Sequence, residues 1–88
     1  MITNEELTNI LLQYREGKIS KPLFHKCLYK IAKEINKRWN LSDDVIREVA
    51  DVCINKSDRF DINRGKTMNF FITIISCYLK QTSRGGII

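Results

Sequence analysis

Asp44, Arg47, Glu48 and Asp51 recur at spacings of three, one and three, so a helix through them projects three carboxylates and a guanidinium from one side. A solvated acidic face is the default reading of such a pattern. It does not suit catalysis. General acid and base chemistry needs titratable groups converging in a pocket, and the single histidine, His25, has no partner evident from its neighbours. No serine or cysteine stands in a nucleophile-elbow context, and no glycine-rich phosphate loop is present. Cys27, Cys53 and Cys77 are odd in number, far apart and without a C-x-x-C pair, so a zinc site would lack ligands. They read as small buried hydrophobes in a reducing cytosol. No enzyme, metal or cofactor is expected.

A second set of charges is cationic. Lys26, Lys30, Lys33 and Lys37 are spaced by four, three and four, which lines their ammonium groups along one helical face. A solvated face competes here with a stripe that tracks phosphates or contacts a partner. The net charge of +5 is distributed unevenly. Residues 1–40 carry eight Lys/Arg against four Asp/Glu, residues 41–58 two against five, and residues 59–88 five against one. Basic blocks flanking an acidic helix point to two different partner surfaces.

Four helices must position these groups, and no segment alternates cleanly enough to argue a sheet. The expected class is all-α, a compact bundle of about four helices. The first starts at Thr3, where Glu6 completes a Thr-x-x-Glu capping box, places Leu7, Ile10, Leu11 and Tyr14 on one face, and stops at Gly17. Ser20 caps the second, with Pro22 tolerated in its first turn. Phe24, Cys27, Leu28, Ile31, Ile35 and Trp39 form its apolar stripe. Asn40 and Leu41 break the chain before the third helix, capped by Ser42 with Asp43 and Asp44 near its positive end. Val45, Ile46, Val49, Val52 and Cys53 face the core there.

Asp61 to Gly65 has turn composition, with Gly65 free to take positive φ. The last helix starts near Thr67 or Met68. Its core stripe is Met68, Phe71, Ile72, Ile75 and Leu79, and Phe70, Ile74 and Tyr78 add a second apolar line in excess of what one small core buries. With 88 residues, 43% of them hydrophobic, one domain over 1–88 is expected: an N-terminal helix at 1–18, a core at 20–84 and a flexible tail at 85–88. The first residues lack the features of a signal peptide, and no apolar run reaches the ~20 residues of a membrane span. A cytoplasmic location, away from membranes, is expected.

From Leu28 to about Arg84 the chain resembles region 2 of the sigma factors, the subunits that direct bacterial RNA polymerase to promoters. The family pattern is an Asp-Leu-Ile-Gln-Glu-like helix, a Lys-Phe-Asp/Glu segment, an Arg-Gly turn and an aromatic-rich helix. The matching segments are Asp44-Val45-Ile46-Arg47-Glu48, Arg59-Phe60-Asp61, Arg64-Gly65 and Met68 to Leu79. Upstream, Ile31 to Asn40 is similar to the Ile-Ala-Lys-x-Tyr segment of the preceding sigma helix. Lys37-Arg38-Trp39-Asn40 and Asn69-Phe70-Phe71-Ile72-Thr73 bring the likeness nearest to the divergent late-transcription sigma factors of T-even-type bacteriophages.

The resemblance implies that the acidic helix packs on the clamp helices of the largest subunit of host core RNA polymerase. Asp44, Arg47 and Glu48 would make polar contacts, with Asp51 on the same face and Ala50 and Ile54 at further contact positions. The last helix would carry promoter DNA. Phe71, Ile74 and Ile75 occupy the aromatic positions that stack on opened bases in the family, so only one ring survives there. Tyr78 stands at a promoter-reading position, and Arg59, Arg64, Lys66, Lys80 and Arg84 are candidates for phosphate contacts. A phage co-activator is an optional further partner, and the bacterial host cytoplasm the implied location. Two alternatives stay open: a polymerase-binding regulator that competes with other sigma factors without reading promoters, and a helical nucleic-acid-binding module resting on the lysine stripe alone.

Overall fold

Local signals in the chain set where its helices begin. The Thr3 hydroxyl accepts from the Glu6 amide at 3.2 Å while the Glu6 carboxylate accepts from the Thr3 amide at 3.3 Å, so two amides that a helix start leaves unpaired are satisfied reciprocally. Helix α1 runs Asn4–Arg15. At its end Gly17 takes φ +75, and the Lys18 and Gly17 amides bond back to the Gln13 and Tyr14 carbonyls. That is a Schellman closure, which needs a residue tolerant of the left-handed region. Ser20 caps α2 (Lys21–Ile35) through the Leu23 amide, with Pro22 in the first turn. Helix α3 spans Asp43–Lys56 and α4 spans Thr67–Gly85, with single 3-10 turns at Asn36–Arg38 and Ser57–Arg59. This computed structural model describes residues 2–85. The expected tail beyond Gly85 lies outside the described residues, and Gly85 itself is the last residue of α4.

The all-α expectation holds: these four helices enclose one core, and no strand occurs among the described residues. At its centre the Phe24 ring meets Phe71 edge-on, centroids 6.2 Å apart and planes at 80°. Tyr14 also packs on Phe24, centroids 4.6 Å apart and planes tilted by 31°. Phe70 and Phe60 extend the series at 5.2 and 4.8 Å. The aromatic chain thus joins α1, α2, α4 and the α3–α4 connection, with pair geometries that rings favour beyond simple burial. Leu7 and Leu11 of α1, Leu28 and Ile31 of α2, Val49 and Cys53 of α3, and Ile75 and Leu79 of α4 complete the interior.

Helix α1 is fastened to the far end of the chain by polar contacts. The Met68 amide donates to Asn4 Oδ1 at 2.8 Å, so a side chain from α1 caps α4. The Thr8 hydroxyl donates to the Asn4 carbonyl, and it therefore accepts from buried Thr67 at 2.6 Å. The Arg15 guanidinium donates to the carbonyls of Ser57 and Phe60 at 2.7 and 2.6 Å, where α3 has run out of internal partners.

Several expectations are corrected. Helix α2 ends at Ile35 rather than reaching Trp39, because Asn36 turns inward. Only 7% exposed, Asn36 donates to the Leu41 carbonyl and accepts from the Leu41 amide, both at 3.0 Å. Asn40 takes φ +53 to close the same loop, a conformation that asparagine tolerates better than most residues. The Ser42 hydroxyl makes no capping bond, leaving Asp43 and Asp44 to balance the positive end of α3. Gly65 does not adopt positive φ. The second apolar line of α4 is largely accommodated, since Phe70, Ile74 and Tyr78 are half-buried against the core and Phe60 covers Phe70. Leu23, 47% exposed, is the large hydrophobic that stands out among the described residues.

Removing the central ring with Phe71→Ala is expected to destabilise the fold by about 3–5 kcal/mol through lost burial and a cavity. Asn4→Ala, which removes the cap from α4, is expected to cost about 1 kcal/mol. Urea denaturation of both variants checks the ranking.

Candidate interaction surfaces

Helix α3 has two chemically distinct sides. Ile46, Val49, Ala50 and Cys53 are buried, whereas Asp44, Arg47, Glu48 and Asp51 are all exposed. The roll of the helix therefore brings the four charged candidates onto one accessible face. It withdraws two others: Ala50 is fully buried and Ile54 only 6% exposed, so neither lies on a surface that a partner can reach without opening the core. Burial pushes the Cys53 thiol up to about 12, which keeps it protonated and inert.

The charged face is partly engaged within the chain. Arg47 Nε lies 2.8 Å from Asp43 Oδ2, one turn earlier, and the Tyr29 hydroxyl of α2 donates to the same carboxylate. His25 Nε2 is 3.2 Å from the Arg47 carbonyl and 3.3 Å from Asp51 Oδ1, so a proton on that nitrogen is shared between the two. This pairing was not legible from spacing because His25 and Asp51 meet only when α2 packs along α3. Both contacts strap the two helices at the edge of the acidic face. Asp44 enters no ion pair among the described residues, and Glu48 lies beside the Tyr78 hydroxyl of α4.

The DNA candidates do not converge. Phe71 is wholly buried against Phe24 and Phe70, so it is a core residue and its ring is not free to stack on a base. Ile75, at another of the family's aromatic positions, is buried too. Ile74 and Tyr78 are half-buried, while Arg59, Arg64, Lys66, Lys80 and Arg84 are exposed. Lys80 follows Tyr78 by two residues, about 200° around the helix, so the phenol and that cation do not share a face. Lys66 and Arg84 are separated by about 27 Å of helix axis. Arg64 faces Asp61 at 3.9 Å, a loose exposed pair.

Clefts flank α1 among the described residues. One of about 650 Å3 lies where the start of α1 meets α2, with Ile2, Cys27 and Ile31 alongside Lys30, Lys33 and Lys37. A smaller one, of about 440 Å3, adjoins the α4 start at Thr67 and includes Asn9, Ile62 and Lys66. Among the described residues no three His, Cys, Asp or Glu side chains gather to hold a metal ion, and no helix is long and apolar enough to cross a membrane.

Fold and surface together define an all-α bundle with an acidic face on α3 and a lysine face on α2. Among known proteins the chain matches no family model, no curated protein and no solved structure.

Two phenols lie beside carboxylates of α3. The hydrogen bond to Asp43 raises Tyr29 above its ordinary value of 10.0, with desolvation and the charge of Asp43 adding to it. Burial, and then Glu48, raise Tyr78 likewise. A raised folded value favours the protonated phenol in the fold. The stabilisation is therefore complete below about pH 10 and lost as pH climbs through the folded values. Phenolate absorbance titrations should place both groups above free tyrosine, with Asp43→Asn returning Tyr29 towards it. An unchanged titration in that variant would refute the strap.

Proposed function

We propose that this chain is a sigma region 2-like module that docks through the outward face of α3 on the clamp helices of host core RNA polymerase, in the cytoplasm of a bacterial host, and directs initiation at late phage-type promoters. The observation that carries the reading is the register of α3. The residues that the sigma resemblance assigns to polar polymerase contacts, Asp44, Arg47 and Glu48, are exposed on one side, and Asp51 joins them. Their opposite side is anchored by Val49 and Cys53 in the core, so the face is presented on a rigid support.

The energetics of the face are compatible with docking. Exposed pairs such as Asp43–Arg47 contribute roughly 0–1 kcal/mol, little enough for a partner to rearrange. An arginine that approaches Asp44 and Glu48 bidentately in a drier interface forms stronger bonds than those it displaces. Ala50 and Ile54 take no part.

A second reading has an observation in its favour. With Phe71 and Ile75 inside the core, the last helix lacks the base-stacking surface that promoter opening uses in the family, where each stacked base contributes about 1–3 kcal/mol. A chain that docks on polymerase without melting promoters would act as a competitor of other sigma factors. Initiation would then require a co-activator or another DNA-binding component.

Co-purification with core polymerase tests the docking face. Asp44→Lys and Glu48→Lys are each expected to weaken binding at least about tenfold, the loss of roughly 1.4 kcal/mol, and undiminished binding in both would sink the assignment. Run-off transcription on an AT-rich late-type promoter separates the two readings: specific initiation supports the sigma-like role, and inhibition of host transcription supports the competitor.

A further inference from the structure

The lysine face of α2 is not used by the docking surface on α3. Lys26, Lys30 and Lys33 of α2 and Lys37 of the 3-10 turn that follows are all exposed, and the first three fall within an arc of about 60° along about 10 Å of helix. They lie opposite Phe24, Leu28 and Ile31, which face the core. His25 and Tyr29, the residues that strap α2 to α3, sit to one side of the stripe, and Cys27 and Glu34 on the other flank line the large cleft.

Little negative charge is left over to neutralise this ridge. Glu34 is taken by Lys37 at 2.6 Å, and that ammonium holds the Glu34 carboxyl below its usual range. Glu6, the other carboxylate in the cleft, accepts from the Thr3 amide and hydroxyl. Lys26, Lys30 and Lys33 form no ion pair among the described residues. Three ammonium groups, those of Lys26, Lys30 and Lys33, therefore stand in a row outside any ion pair among the described residues, and Lys37 extends the row with its charge shared with Glu34.

We propose that this face is a backbone-tracking surface for duplex DNA, separate from the α3 face and able to act without polymerase. The chemistry of the ridge favours that occupant over other polyanions. Lysines act as point charges that neutralise phosphates without requiring a bidentate geometry. Single strands are usually held by aromatic platforms, and the rings of α2 are committed, Phe24 to the core and Tyr29 to Asp43. An anionic membrane would require a broad apolar face beside the cations, whereas Phe24, Leu28 and Ile31 are enclosed by the bundle and Leu23 is the large apolar side chain that α2 leaves exposed. The inference goes beyond the polymerase reading and does not rest on it.

Fluorescence anisotropy of a short labelled duplex of arbitrary sequence, titrated with the intact protein across a salt series, provides the test. Neutralising three to four phosphates predicts a slope of log K against log salt of about −3. The double substitution Lys30→Gln and Lys33→Gln should bring the slope to about −1 and weaken binding at low salt by at least about tenfold. A charge-matched control, Lys18→Gln with Lys56→Gln, should leave the slope near the parent value, and circular dichroism verifies that both doubles stay folded. The proposal is overturned if the parent protein shows no salt-dependent duplex binding. It is equally overturned if the two doubles lose affinity alike, or if single-stranded DNA or phosphatidylserine vesicles compete more strongly than duplex.

Discussion

The edge-to-face contact of Phe24 with Phe71 is the constraint on which the other surfaces depend. It sets the rotation of two helices at once. With Phe24 inside, Leu28 and Ile31 follow it inward, and Lys26, Lys30 and Lys33 are left facing solvent. With Phe71 inside, Ile75 and Leu79 follow at four-residue intervals, so α4 contributes its ring to cohesion rather than to recognition. The roll that lets a small bundle close is also what takes Phe71 and Ile75 off the accessible surface.

The signals that were legible in the sequence are local. The Thr3–Glu6 box, Gly17 and the Ser20–Pro22 start each concern residues a few positions apart, and all three helix boundaries appear as read. The apolar stripe of α2 was also legible, because one face of that helix is plainly aliphatic and its opposite plainly cationic. The core stripe of α4 was legible too, since Phe71, Ile75 and Leu79 are buried as their spacing indicates, and the conflict arose where the family correspondence gave Phe71 and Ile75 a second role at the surface. Ala50 and Ile54 were misplaced for a related reason: the family correspondence carried their role, whereas the packing of this chain determines their exposure. The Asn36 loop, the His25–Asp51 strap and the Asn4 cap required knowledge of which helices are neighbours.

Helices α2 and α3 pack side by side, yet their outward faces are opposite in sign. The straps from Tyr29 and His25 to Asp43 and Asp51 run along the seam between them. They place the inner edge of the acidic face against α2 itself and leave Asp44 on its outer part. A partner that engages the acids and one that engages the lysines can therefore approach from different directions without competing for side chains. The field of the molecule is that of an oriented dipole across two helices, which favours a defined approach angle for any charged partner.

The capping of α4 by Asn4 has a temporal consequence. The two residues are 64 positions apart, and chains are made from the N-terminus at about 5–20 residues per second. The cap therefore waits roughly 3 to 13 seconds after Asn4 is synthesised before its recipient amide exists. During that interval Leu7, Leu11, Phe24 and Leu28 lack the α4 side of their eventual enclosure. Ribosome-bound chains would be the form most exposed to chaperones, and the bundle would assemble late, as a unit, once its last helix supplies both the central ring and the amide that α1 holds.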